Sequence, residues 1–181
     1  MRITRTEIAE VLIVEPPVFR DPRGVFMESY NRRAFRKATG IDVEFVQDNH
    51  SRSVRNVLRG LHYQIRQPQG KLVRVTAGEI WDVAVDLRGN SATFGKWVAT
   101  TLDADSARST WIPAGFAHGF LVLSESAEVQ YKTTDYYAPE HERTLLWNDP
   151  ALGIPWPLRG EPMMSEKDRR GVPLAAAERF A

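Results

Sequence analysis

The sequence predicts a mainly β protein, an antiparallel sandwich or barrel with a few short helices. Runs rich in Val, Ile and Trp recur at short spacing through the middle of the chain. Gly, Asn, Asp, Ser or Pro breaks each run from the next, the pattern of short strands joined by tight turns. The length of 181 residues suits one domain with a sizeable core, and no repeat, low-complexity segment or long linker divides it.

The elements follow in order. Val11-Leu12-Ile13-Val14 reads as a strand ended by Pro16-Pro17, and Asp21-Pro22-Arg23-Gly24 as a turn. Residues 31–38 form the one clear early helix, with Asn31 as cap and Gly40 just past its end. Strands are expected over residues 72–77 and 79–86, with Gly78 as the turn between them. Further strands are expected over 94–102, 109–112, 119–123 and 128–136. Residues 148–181 are rich in Pro and Gly, so this tail is expected to wrap the barrel, with a helical turn near 165–170.

Bulk composition narrows the function. At 43% hydrophobic and 26% charged, the chain is ordinary for a soluble globular protein. A net charge of +1 provides no global field for nucleic acid or an anionic membrane, so any anion must be held by a local cluster. The absence of cysteine excludes a disulfide framework, a thiolate nucleophile and a Cys-ligated zinc. No apolar run reaches transmembrane length, and Met1-Arg2-Ile3-Thr4-Arg5 carries no signal-peptide core, so a cytoplasmic location is expected.

The richest segment is Leu58-Arg59-Gly60-Leu61-His62-Tyr63-Gln64, followed by Gly70-Lys71-Leu72-Val73. A guanidinium, an imidazole and an ammonium stand there among strand formers, a mixture expensive to bury without purpose. Lys71 shares strand parity with Val73 and Val75, so it either points into the core or snorkels out at the strand end. Arg59 and His62 are an odd number apart and would face opposite ways on a regular strand. A bulge at Gly60 would re-aim one of them; without it only one lies in the cavity.

Pro113-Ala114-Gly115-Phe116-Ala117-His118 resembles the second motif of the cupins, small double-stranded β-helix (jelly-roll) barrels. Many cupins bind a metal through that histidine together with a His-x-His and a Glu. Here His62-Tyr63-Gln64 carries glutamine at the second position, short of the about three ligands a divalent site wants. The reading is therefore a cupin with no metal.

Longer stretches make the resemblance specific. Asp21-Pro22-Arg23-Gly24-Val25-Phe26, Gln47-Asp48-Asn49-His50-Ser51, the segment around His62, Gly70-Lys71-Leu72-Val73-Arg74-Val75, Tyr131-Lys132-Thr133-Thr134 and Trp147-Asn148-Asp149-Pro150 occur in the order found in the dTDP-4-dehydrorhamnose 3,5-epimerases. The resemblance covers nearly the whole chain. It implies a substrate that is a dTDP-linked 4-keto-6-deoxy sugar, whose C4 ketone acidifies the hydrogens on C3 and C5. Epimerisation moves protons and no net electrons, so neither a metal nor a redox cofactor is called for.

The resemblance also assigns roles. His62 is the base, apt because imidazole titrates close to neutral pH, and Asp168 orients it. Tyr131 is the proton donor on the opposite face, and Lys71 stabilises charge on the C4 oxygen. His118 lies against the same sugar. Arg59 and Arg23 match the diphosphate-binding positions, where a planar guanidinium suits the anion. Gln47, Asn49 and Glu28 offer amides and an acceptor to the nucleoside, and Tyr137 an aromatic face for thymine. Glu142 and Lys167 match further nucleotide-sugar contacts. A homodimer is implied, with the N-terminal segment of one subunit reaching the other, so that Arg23 and Glu28 complete the neighbour's site.

Three alternatives differ in what they require. An epimerase acting at one carbon keeps the same base and tyrosine, and the position of deuterium in the product separates it. A metal-dependent cupin would retain stoichiometric metal. A non-catalytic sugar-nucleotide binder would hold the ligand with no proton exchange.

Overall fold

A computed structural model describes residues 1–181. Thirteen strands and two α-helices follow the chain: β1 (Arg2–Arg5), β2 (Leu12–Glu15), β3 (Val18–Asp21), β4 (Gly24–Met27), α1 (Arg32–Thr39), β5 (Gln47–Val54), β6 (Leu58–Gln64), β7 (Lys71–Ala77), β8 (Glu79–Asp86), β9 (Trp97–Asp103), β10 (Ser109–Ile112), β11 (Phe116–Val122), β12 (Ser126–Thr133), β13 (Glu142–Thr144) and α2 (Glu166–Arg169). One sheet has the order β1-β2-β10-β7-β12-β5 and the other β13-β6-β11-β8-β9, while β3 and β4 form a separate hairpin. From β5 to β13 the chain crosses between the two sheets at almost every step. This antiparallel double winding is the jelly-roll barrel expected from the sequence.

Strand alternation builds the interior. Val73 and Val75 of β7, Ile80 and Ala84 of β8, Phe116 and Phe120 of β11, and Val129 of β12 share one buried cluster between the sheets. The opposite face of β8 and β11, carrying Val83, Val85 and Leu121, would be bare without the C-terminal tail. Leu152, Trp156, Met164, Leu174 and Phe180 cover it. Trp156 donates its indole N–H to the Trp147 carbonyl (2.8 Å), and Trp97 donates to Leu152 (2.9 Å), so the buried Trp156 and the half-buried Trp97 pack without orphaned donors. The outer face of the first sheet is capped by α1 through Phe35, which packs on Trp111 and Phe45. Asn31 accepts the Ala34 amide (3.0 Å) and Gly40 closes the helix at φ 75°, as the sequence predicts.

Several boundaries differ from the sequence expectation. The strand expected from residue 94 begins at Trp97, because Ser91 and Thr93 turn back to donate to the Asp86 carboxylate (2.6 Å each). The strand expected to run to residue 136 stops at Thr133, whose hydroxyl donates to the Asp135 carbonyl. The β3–β4 hairpin and all of β5 were not visible as strands in the sequence.

The bulge at Gly60 is present. His62 pairs with His118 and Arg59 with Phe120, so β6 advances three residues while β11 advances two. A Cβ on Gly60 would lie 2.5 Å from the Gly119 Cα and 2.7 Å from the His118 carbonyl, and its φ is 120°. The two backbones approach so closely that only glycine fits. The Gly60–Leu61 peptide is cis. With the three-against-two register of the bulge, Arg59 and His62 line the same cavity.

Candidate active site

A cavity of about 350 Å³ opens between the sheets on the polar side of the interior. Its walls come from five strands. β6 supplies Arg59 and His62, β7 supplies Lys71, β11 supplies His118, β12 supplies Tyr131, and β5 supplies Gln47, Asn49 and Ser51. Glu142 of β13, Tyr137 and Lys167 of α2 close the mouth. Ten residues expected from the sequence thus line one space, and Asp168 stands directly behind His62.

The His62 Nε2 lies 2.5 Å from Asp168 Oδ1, although the two are 106 residues apart in the chain. Asp168 is held by α2, whose N-cap Ser165 accepts the Asp168 amide (3.1 Å). Burial would push the Asp168 carboxyl up, but the His62 hydrogen bond and charge, with the Ser165 contact, hold it below its ordinary value. An ionised carboxylate on Nε2 leaves Nδ1 as the free ring nitrogen.

A second such pair lies deeper. His118 Nε2 is 2.6 Å from Asp82 Oδ1, with both residues buried. Burial lowers the His118 pKa, and the nearby charges of Lys71 and His62 lower it further against the opposing pull of Asp82. Asp82 escaped sequence reasoning. Its signal was a lone carboxylate sharing the inward parity of Ala84 within Ile80-Trp81-Asp82-Val83-Ala84-Val85, costly to bury unless paired.

Strand parity turns Lys71 inward, the first of the two possibilities its spacing allowed. It is 8% exposed, and its ammonium donates to the His62 carbonyl at 3.4 Å. Burial lowers its pKa from 10.5 to about 8, offset in part by Glu142 and Asp82. Tyr131 moves the other way: burial raises its phenol, which therefore remains a protonated donor at neutral pH.

The mouth is a connected polar frame. Tyr137 donates its hydroxyl to Glu142 (2.8 Å) and Lys167 its ammonium to the same carboxylate (2.9 Å). Burial favours a neutral Glu142, but these two donors outweigh it and keep the carboxyl below its usual range. Gln47 accepts the Tyr137 amide and donates to Asn49. Arg59 donates from Nε to Ser53 (3.0 Å), leaving the end of its guanidinium for a ligand. Ser51, Ser53, Gln69 and Phe120 were not singled out in the sequence; the polar inward parity of 47, 49, 51 and 53 was the available sign.

Two expected residues lie elsewhere. Arg23 sits at the β3–β4 turn with its side chain 90% exposed and bonded to Asp21, and Glu28 follows the hairpin in an exposed position. Neither lines the cavity of its own chain. Gln64, at the position of a metal-binding histidine, spends its amide on backbone: it donates to Gln67 and Tyr136 and accepts from Ala138. No three His, Asp or Glu side chains converge as a metal would need.

A jelly-roll barrel with a carboxylate-bound imidazole, a protonated phenol and a buried ammonium around one cationic cavity defines a cupin-type enzyme suited to proton-transfer chemistry on an anionic, oxygen-rich ligand. A family model described as dTDP-4-dehydrorhamnose 3,5-epimerase matches residues 5–176. The chain belongs to this family. It is 64% identical over 180 residues to the dTDP-4-dehydrorhamnose 3,5-epimerase of Pseudomonas aeruginosa, covering 99% of both chains. It is 57% identical over 171 residues to that of Escherichia coli, covering 94% of this chain and 92% of the relative. The crystal structure of dTDP-6-deoxy-D-glucose-3,5-epimerase from Legionella pneumophila in complex with dTDP-4-keto-L-rhamnose superposes with a TM-score of 0.96 at 50% identity, covering 98% and 94% of the two chains.

Proposed function

We propose that this chain epimerises C3 and C5 of dTDP-4-dehydro-6-deoxy-D-glucose to give dTDP-4-dehydro-L-rhamnose, with His62 as base and Tyr131 as acid. The observation that carries this reading is the convergence of Asp168-bound His62, Tyr131 and Lys71 on one cavity. The C–H bond next to the ketone breaks, its proton passes to His62, and its electron pair moves onto the C4 oxygen as an enolate. Lys71 places an ammonium in a dry site against that oxygen, where charge stabilisation is strongest. Tyr131 then returns a proton to the opposite face.

The remaining residues hold the nucleotide. Arg59 and Lys167 take the diphosphate, Tyr137 stacks on the thymine, and Gln47, Asn49, Glu142 and His118 supply hydrogen bonds. The active form in this reading is a cytoplasmic homodimer in which Arg23 and Glu28 of one subunit complete the other's cavity. Support comes from the β3–β4 hairpin, whose Phe19 and Phe26 are 62% and 71% exposed, an apolar pair suited to cover by a second copy.

Turnover in D2O tests the reading. Product carrying deuterium at both C3 and C5 is expected. Deuterium at one carbon alone would make the enzyme a single-carbon epimerase, and binding of dTDP with no exchange would make it a binding module.

A further inference from the structure

The sugar of the proposed substrate carries one apolar substituent, the methyl group C6 on C5. That methyl is all that separates it from a 6-hydroxy sugar of otherwise equal shape.

The cavity wall is one-sided in the same way. Phe120 of β11 is the only pure hydrocarbon side chain in the lining; Gly119 has no side chain, and every other lining residue carries a charge, an imidazole, an amide, a hydroxyl or a phenol. Phe120 is 4% exposed and packs back into the barrel core, which fixes its ring in place.

Its position suits the edge of the sugar that bears the methyl. His62 stands on one sheet and Tyr131 on the other, so a sugar between them turns one face to each and its edges to the remaining wall. In the proposed function Arg59 holds the diphosphate at C1 and Lys71 meets the oxygen at C4. One edge of the ring joins these ends through the ring oxygen and C5, the other through C2 and C3 with their hydroxyls. Phe120 pairs with Arg59 across the β6–β11 ladder, and its ring lies 6.4 Å from that of His118. His118 in turn is close enough to Lys71 for the ammonium to lower its pKa. Phe120 thus stands between the residues for the C1 end and those for the C4 end. The β5 wall offers Gln47, Asn49 and Ser51, which suit hydroxyls.

We propose that Phe120 is the specificity-determining residue for a 6-deoxy sugar, seating the C6 methyl and rejecting a hydroxyl at that carbon. The proposal rests on the reading of this cavity as the site of a dTDP-linked 4-keto-6-deoxy sugar. A methyl on the ring gives up only apolar hydration, whereas a hydroxyl there exchanges water for hydrocarbon.

Calorimetry with dTDP-6-deoxy-D-glucose and dTDP-D-glucose tests it. The two differ only at C6, and neither has the C4 ketone that turnover needs. Binding of dTDP alone controls for the fold and the nucleotide half. Wild type is expected to bind the 6-deoxy sugar about tenfold more tightly. Phe120→Tyr keeps the ring and adds a hydroxyl to the seat, so the preference should fall to about twofold or less with dTDP affinity unchanged. Phe120→Leu keeps the seat apolar and should retain the preference. A wild type that binds the two sugars within about twofold of each other overturns the proposal. So does the wild-type preference kept in a Phe120→Tyr variant that binds dTDP normally, or lost in Phe120→Leu. Failure of the underlying reading shows separately, as a wild type that binds no dTDP or exchanges no deuterium into the keto sugar.

Discussion

Lys71→Met should yield a more stable protein with little activity. The side chain is 8% exposed, and burial takes its pKa from 10.5 to about 8. A drop of that size corresponds to roughly 3 kcal/mol held against the folded state whenever the lysine is charged. Because the folded pKa is the lower one, the unfolded chain binds more protons between about pH 8 and 10.5, and wild-type stability rises across that window. Below about 8 both states carry the proton and the whole penalty stands. Methionine keeps an unbranched stem in the same slot and has no proton to bind. At pH 7 the variant is expected to be more stable by about 2–3 kcal/mol, with the gap closing above about pH 10. Urea unfolding followed by tryptophan fluorescence at several pH values measures it. A variant no more stable than wild type at pH 7, or a gap independent of pH, would refute the argument that a buried ammonium is held there at the expense of the fold.

Three further outcomes follow from the site. Asp168→Asn leaves the shape but removes the carboxylate that selects the His62 tautomer; kcat should fall roughly a thousandfold with dTDP affinity unchanged, read from steady-state kinetics and calorimetry. Tyr131→Phe keeps the ring packed on the core and removes only the hydroxyl, the acid of the proposed function, so it should form no epimer yet still exchange hydrogen slowly with retention, visible by NMR in D2O. Gly60→Ala would drive a Cβ into the Gly119 and His118 backbones at a φ of 120°, and thermal unfolding should show a loss of roughly 3 kcal/mol with activity falling as Arg59 and His62 lose register.

The parts of the fold visible in the sequence were those where burial and periodicity agree. β8 reads as a strand because both its faces are covered, one by the interior and one by the tail. β5 was missed because its inward residues are all polar: Gln47, Asn49 and Ser51 face the cavity and Ser53 is buried against Arg59, while Asp48, His50 and Arg52 face outward, so neither face is apolar. A strand that lines a polar site carries no hydrophobic alternation and reads as a loop. The Gly60 bulge was legible from the odd spacing of Arg59 and His62, and the inward turn of Lys71 from its parity with Val73. Asp168 was not legible from local pattern: Ser165-Glu166-Lys167-Asp168 is an ordinary capped turn, and its partner lies 106 residues away. Only the family resemblance singled it out. The polar frame at the mouth was named residue by residue, but its wiring through Glu142 depends on α2 and β13 meeting in space.

In the proposed function His62 takes both protons. This is tested most directly by NMR of the sugar after incubation in D2O with wild type and with His62→Ala, each checked for dTDP binding. Deuterium is expected at C3 and C5 with wild type and at neither carbon with the variant. Exchange at either carbon in His62→Ala would contradict it.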